Sequence, residues 1–318
     1  MTSVIDRASL QRDLAALGVR GGDVVMVHVS LRKIGLSRSQ VGAGAPELLL
    51  DALEAAVGAD GTLMMIRGSD YSHDWVNSKP VEERARLLAG TPPFDARIAA
   101  VLPEVGWFAE VFRQAPGTLL SDNPSGRFAA RGRRAVALLR DQPWNDYYGP
   151  GSPLQRLCDA GGKVLRIGAD PETVTVLHYA EYLARVPVKR RTRWDYVVTA
   201  EVGPQHVWIE CLDDSKGIVN WQGEDYFALI TKAYLATGEA QAQGRILLHA
   251  TVHKPAGVGV DESQRDRLFD AFFTTKPTGE GLGLSLSYDI VTKGHGGMLS
   301  TVSIAGKGTE FLISLSGK

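Results

Sequence analysis

The run from Asp23 to Val29 does most to limit what this chain can fold into, because V-V-M-V-H-V is apolar and β-rich almost throughout. A strand with one wet face alternates polar and apolar side chains, whereas an unbroken apolar run marks a strand covered on both faces. Its surroundings agree. Leu10, Leu14 and Leu17 recur at helical spacing between Ser9 and Leu17, and Gly18 with the pair Gly21-Gly22 closes that helix before the strand. Pro46 to Val57 reads as a second amphipathic helix, Gly58 and Asp60-Gly61 as a turn, and Thr62 to Ile66 as another buried strand. This alternation predicts an α/β fold, in which ligands gather beyond the strand ends. The loop Ser30-Leu31-Arg32-Lys33-Ile34-Gly35, directly after the first strand, is therefore a candidate ligand loop.

A chain of 318 residues holds one large domain or two modest ones. Its formal net charge of −1 gives no basis for nucleic acid or an anionic membrane as partner. Cys158 and Cys211 have neither metal-ligand spacing nor a disulfide framework, and read as buried apolar thiols in a reducing compartment. The start M-T-S-V-I-D-R lacks a basic segment followed by an apolar run. No stretch reaches the roughly 18 apolar residues of a membrane span, so a cytoplasmic protein is expected.

From Gly68 to Pro93 the periodicity gives way to Asp70, Tyr71, His73, Asp74 and Trp75, with a short helical run at Val81 to Leu88. Acids and aromatics together suit cationic or hydroxylated ligands, and equally a solvated loop. Ile98 to Gln114 has helical periodicity, and shorter helices are expected near Arg133 to Leu139 and Leu154 to Ala160. Gly161-Gly162 turns the chain into a short buried strand ending at Gly168, and a helix follows that Pro187 terminates. Lys189, Arg190 and Arg191 lie just beyond that helix, where cations complement its dipole. Trp194 to Ile209 alternates like a pair of strands, and Tyr226 to Thr237 reads as a helix.

Within the helix after Gly168, His178 precedes Glu181 by three residues. That spacing puts both side chains on one helical face, about 5 to 6 Å apart at Cβ. A carboxylate beside an imidazole fixes its tautomer and raises its basicity, which makes a general base for work near neutral pH. The same spacing also describes an ordinary surface contact worth about 0.2 to 0.5 kcal/mol. Spacing alone leaves both readings open.

The order of motifs resembles the aminoglycoside 3-N-acetyltransferase family. The matching pieces are M-V-H-V-S-L-R-K-I-G, P-P-F-D at Pro92 to Asp95, Q-A-P-G-T at Gln114 to Thr118, G-S-P-L at Gly151 to Leu154, G-G-K-V-L-R-I-G, and V-T-V-L-H-Y-A-E. They run collinearly from about Ser9 to about Gly244. The resemblance implies a central mixed sheet with flanking helices, and transfer of acetyl from acetyl coenzyme A to the 3-amine of the 2-deoxystreptamine ring of an aminoglycoside antibiotic. It implies His178 as base and Glu181 as its orienting carboxylate. Coenzyme contacts are implied at Ser30, Leu31, Arg32, Lys33, Ile34, Gly35, Ser121 and Phe128, and contacts to the cationic drug at Asp70, Tyr71 and Asp214. No metal is implied. Many relatives carry histidine before the proline of the segment Ser121 to Pro124, where this chain has Asn123.

Beyond Gly244 a different resemblance begins. F-D-A-F-F-T-T-K-P-T-G-E-G-L-G-L-S-L-S-Y-D-I-V, then H-G-G and G-K-G-T-E-F, is similar to the end of a sensor histidine kinase ATPase domain. The expected organisation is an acetyltransferase-like domain over residues 1–244 and a small α+β tail over 245–318. In the tail Pro255 replaces the aspartate that reads adenine in that family, and the helix bearing the metal-binding asparagine is missing. The tail is thus expected not to bind nucleotide. A signalling module that binds ATP and an inactive fusion are the competing readings.

Overall fold

The computed structural model describes residues 6–34, 36, 44–68, 71–236, 267, 298–304 and 308–314. These fall into two compact units. The first holds the described residues up to Ala169 together with Arg191–Cys211, and the second holds Asp170–Arg190 with those from Leu212 onward. The boundary expected near Gly244 lies outside the described residues.

The first unit opens with α1 (Arg7–Ala16), started by a reciprocal cap: Asp6 Oδ1 accepts from the Ser9 amide at 2.7 Å while Ser9 Oγ accepts from the Asp6 amide at 3.0 Å. Strand β1 (Val24–Val29) follows, then a 3-10 turn over Leu31–Ile34, α2 (Ala45–Val57) and β2 (Thr62–Gly68). After them come α3 (Tyr71–Asn77), α4 (Val81–Leu88), α5 (Trp107–Gln114), β3 (Leu119–Leu120), β4 (Arg127–Gly132), α6 (Ala135–Leu139), α7 (Pro153–Asp159) and β5 (Lys163–Ile167). The sheet order is β3-β4-β2-β1-β5, with β1 parallel to both β2 and β5, and β4 antiparallel to β2 and β3. It is the expected mixed sheet. Val25 and Val27 of β1, Leu63 and Met65 of β2, and Leu165 and Ile167 of β5 pack with Leu10, Leu14, Leu49, Leu53, Phe108 and Phe112 in one core. The alternates Met26 of β1 and Met64 of β2 are buried too, as is Phe128 of β4, so the central strands are covered on both faces.

Strands β6 (Arg191–Ala200) and β7 (Gly203–Leu212) form a hairpin sheet. Phe94, from P-P-F-D, bridges to Val198 of β6, and its amide donates to Val197 O at 2.7 Å. In G-S-P-L, Ser152 caps α7 and Pro153 stands where a helix needs no amide donor. Both motifs hold the scaffold together.

Two sequence expectations are corrected. Only Trp107–Gln114 of the stretch from Ile98 is helical, because Pro103 lacks an amide donor and the carbonyls of Ala96 and Ala99 are taken by the buried Arg67 guanidinium at 3.1 and 2.5 Å. Cys158 is exposed: the buried stripe of α7 is Leu154 and Leu157, and Cys158 falls off it, whereas Cys211 is buried as expected. Helix α3 and strand β4 are additions, since neither Y-S-H-D-W-V-N nor R-F-A-A-R-G carries a clear period.

The second unit contains α8 (Val176–Leu183), α9 (Tyr226–Ala236) and the antiparallel strands β8 (Met298–Ile304) and β9 (Gly308–Ser314), with β9 beside α9. Its core joins Ala180 and Ala184 of α8 to Ile218 and Val219 and to Tyr226, Phe227 and Ile230 of α9. Among the described residues no helix is long and apolar enough to cross a membrane.

Candidate active site

Helix α8 turns its stripe of Leu177, Ala180 and Ala184 into the second unit's core. Glu181, beside that stripe, is only 1% exposed. A carboxylate taken out of water costs several kcal/mol, by rough reckoning, unless partners replace the solvent. Two do so. His178 Nδ1 lies 2.8 Å from Glu181 Oε2, and the Tyr226 hydroxyl donates to Oε1. Because an ionised carboxylate only accepts, the ring proton of His178 sits on Nδ1 and the lone pair of the neutral imidazole on Nε2.

The partners come from segments whose local chemistry places them. Asp213 Oδ1 accepts from the Ser215 amide at 3.1 Å, the Ser215 hydroxyl at 2.8 Å and the Lys216 amide at 2.9 Å, which closes a tight Asx turn. The turn ends at Gly217, whose φ is +76° and whose missing Cβ would stand 3.0 Å from the Tyr226 ring. Asp225 starts α9: its Oδ1 accepts from the Phe227 amide at 2.8 Å and the Ala228 amide at 3.2 Å. The Phe227 ring meets the His178 ring edge-on, with centroids 4.8 Å apart. Of the basic run, Lys189 meets the far end of α8, donating from Nζ to Tyr182 O at 2.8 Å, while Arg190 donates to Asn220 Oδ1 at 2.8 Å and Arg191 pairs with Asp146 at 2.8 Å.

Electrostatics favour a strong base. Burial pulls the His178 pKa down, but the charge and hydrogen bond of Glu181 and the charges of Asp214 and Asp225 outweigh it and leave the imidazole more basic than usual. Tyr226 is pushed up as well: burial first, then the negative charge of Glu181 and its hydrogen bond, keep the phenol protonated as a donor.

In the first unit, the Ser30–Ile34 turn is pinned from below. The Ser30 amide donates to Ile167 O at 2.8 Å, and the Lys33 amide to Ser30 O at 3.0 Å. Leu31 is buried and Ile34 packs on the core, while Ser30 and Lys33 are half-buried and Arg32 is exposed. Gly168 fits under the turn at φ +67°, and a Cβ there would stand 2.8 Å from Ile34 Cγ2 and 2.9 Å from Ser30 O. His28, two residues before Ser30, is pushed down to about 4 by burial and then by Arg166, so it is neutral wherever His178 titrates.

Ser121 and Phe128 are brought together: the Phe128 amide donates to Ser121 Oγ at 2.8 Å and the Ser121 amide to Phe128 O at 2.9 Å, with both residues buried. Asn123 is fully buried. Its Nδ2 donates to Pro143 O and Trp144 O, both at 3.1 Å, and its Oδ1 accepts from the Ser125 and Gly126 amides at 2.9 and 3.0 Å. An imidazole cannot make all four of those bonds, so the departure at this position gives a complete structural staple. Asp214 is half-buried. Asp70 and Gly35 lie outside the described residues, as do the glycine-rich stretches assigned to the tail, and Tyr71 is described only as the backbone start of α3. Sequence reasoning missed Tyr226 and Phe227, since nothing in D-Y-F ties them to a residue pair 45 positions away. The signal that could have found them is Asp225, a cap residue immediately before the aromatic pair.

Comparison with known proteins agrees with this architecture. A family model described as aminoglycoside 3-N-acetyltransferase matches residues 26–256. Aminoglycoside N(3)-acetyltransferase VIII of Streptomyces fradiae is 38% identical over 256 residues, covering 78% of this chain and 86% of the relative. Aminoglycoside N(3)-acetyltransferase VII of Streptomyces paromomycinus is 34% identical over 278 residues, covering 84% and 88%. Among solved structures, AAC-IIIb in a binary complex with CoASH superposes with a TM-score of 0.66 at 37% identity, over 74% of this chain and 85% of that one. The neutron/X-ray structure of AAC-VIa with bound sisomicin gives 0.66 at 34% identity, over 74% and 87%. The chain belongs to the aminoglycoside 3-N-acetyltransferase family.

Proposed function

We propose that this enzyme transfers acetyl from acetyl coenzyme A to the 3-amino group of the 2-deoxystreptamine ring of an aminoglycoside, with His178 as general base oriented by Glu181. The observation that carries the reading is the 2.8 Å contact between His178 Nδ1 and Glu181 Oε2, which directs the basic lone pair to Nε2. The drug amine reaches the site as an ammonium and attacks only after losing a proton. Nε2 takes that proton, and the neutral amine nitrogen then bonds to the thioester carbonyl carbon. The carbonyl electrons return to break the carbon–sulfur bond, and the departing coenzyme A thiolate takes the second amine proton and leaves as the thiol, which gives an amide and one positive charge fewer on the antibiotic. Loss of that charge is the basis of resistance.

In this reading Ser30, Leu31, Arg32, Lys33, Ile34, Gly35, Ser121 and Phe128 meet the coenzyme. Donors of the Ser30–Ile34 turn would stabilise the oxyanion. Asp70, Tyr71 and Asp214 would receive the cationic drug. Support comes from the AAC-IIIb neighbour, solved with CoASH, and the AAC-VIa neighbour, solved with sisomicin. The test is release of free thiol from acetyl coenzyme A in the presence of gentamicin-type or apramycin-type drugs. The acid limb of kcat/KM should lie above the ordinary imidazole range, because the raised pKa of His178 makes its basic form disappear earlier as pH falls. Drug-independent thiol release, or a limb at or below that range, would sink the proposal.

For residues 245–318 we propose a truncated kinase-like tail without a working nucleotide site, the reading that Pro255 supports. Titration with ATP should show no saturable binding; a saturable isotherm would restore the signalling alternative.

A further inference from the structure

We propose that Asp225 is a positioning residue for acetyl transfer, holding the start of α9 so that Tyr226 and Phe227 clamp the Glu181–His178 pair from the side opposite α8. This rests on the His178 base reading and adds a residue to it.

The geometry is specific to this turn of helix. The first amides of a helix have no partner within it, and an aspartate at the cap satisfies them and fixes where the helix begins. Asp225 Oδ1 takes the amides of Phe227 and Ala228, while its own carbonyl accepts from the Leu229 amide at 3.1 Å. The two residues that immediately follow are the ones that touch the pair: Tyr226 donates to Glu181 Oε1, and Phe227 sets its ring against His178. A cap that frays releases the first helical residues, Tyr226 and Phe227, from their helical dihedrals, so neither ring is held in place. Either loss would let the Glu181 carboxylate or the imidazole turn out of line. Asp225 also adds negative charge beside His178, after Glu181 and Asp214. The groups facing the imidazole are thus Glu181 on its own helix, Asp214 on the Asx turn, and Asp225 with Phe227 on α9, while Lys189 and Tyr226 act on Glu181 from behind.

Cap and charge separate cleanly by substitution. Asp225→Asn and Asp225→Ser keep a cap acceptor without the charge, and Asp225→Ala removes both. Thiol release would be followed against pH for the full chain and each variant, alongside NMR titration of the His178 ring and thermal melting. The expected result is kcat within about threefold of the parent for Asn and Ser at alkaline pH, and a loss of about ten- to a hundredfold for Ala, within the range assigned to a positioned acid or base. The KM for acetyl coenzyme A should hold within about twofold, as expected for an interaction realised in the transition state. The acid limb and the His178 titration should move to lower pH in every folded variant. Equal kcat for Ala and Asn, or an unmoved His178 titration in Asn, overturns the proposal. If Ala fails to fold, the Asn and Ser titrations still decide it. If the parent enzyme releases no thiol with any drug, the acetyl-transfer reading fails while the NMR titration still reads the Asp225–His178 coupling.

Discussion

His178→Ala lowers kcat by about 10² to 10⁴-fold, the range expected when a positioned general base is lost, and leaves the KM for acetyl coenzyme A nearly unchanged. The reasoning runs through the proton. A drug ammonium that keeps its proton has no lone pair for the thioester, and water in place of the imidazole is a far weaker base. Truncation leaves Glu181 buried with Tyr226 still donating to it, so the fold keeps one of the carboxylate's two partners. Steady-state thiol release on a variant whose melting stays cooperative checks this. Full turnover in a folded His178→Ala enzyme would remove His178 from the mechanism. Acid-limb behaviour gives a second readout, because the pH dependence assigned to the imidazole should disappear with it.

Glu181→Gln should be nearly as damaging, about 10² to 10⁴-fold in kcat, though it changes little in shape. A glutamine has one acceptor end and one donor end. The Tyr226 hydroxyl donates to Oε1 and so selects the acceptor there, which turns the amide donor toward His178 Nδ1. Nδ1 must then accept, and the ring proton moves to Nε2, the atom that has to receive the proton from the drug. The imidazole also loses the charge that most raises its basicity. A joint substitution Glu181→Gln, Tyr226→Phe frees the amide to flip, and should recover part of the loss. Kinetics of the single and double variants against the parent would settle the matter: equal activity of Glu181→Gln and the parent excludes a tautomer-setting role.

Much of the first unit was legible because its strands carry a local signal. V-V-M-V-H-V and T-L-M-M-I announce burial on both faces, and the structure places them side by side in the sheet. The His178–Glu181 pair was legible for the same reason, being a contact within one turn of helix. What could not be read was set by distant partners. Strand β4 is short and arginine-flanked, yet Arg127 is fully buried and donates from Nε to Gly68 O at 2.7 Å. The helix expected from Ile98 lost its first half because a guanidinium from β2 took carbonyls near its start. Tyr226 joined the site through the Asx turn and the cap of α9, neither of which leaves a period in the sequence. Local pattern reports burial and helical face; it does not report which carbonyl a remote arginine will claim.

The close approach of Gly217 to the Tyr226 ring has a consequence for how such an enzyme changes under drug selection. Asp213 holds three donors and Gly217 leaves room for an aromatic ring, so both ends of this turn set the place of Tyr226 against Glu181. Ser215 and Lys216, between them, are exposed, but the Ser215 hydroxyl is one of the donors to Asp213, whereas Lys216 contributes only its amide. On the proposed mechanism, Lys216 is therefore the position of this turn where side-chain change is expected to leave the Tyr226 contact intact.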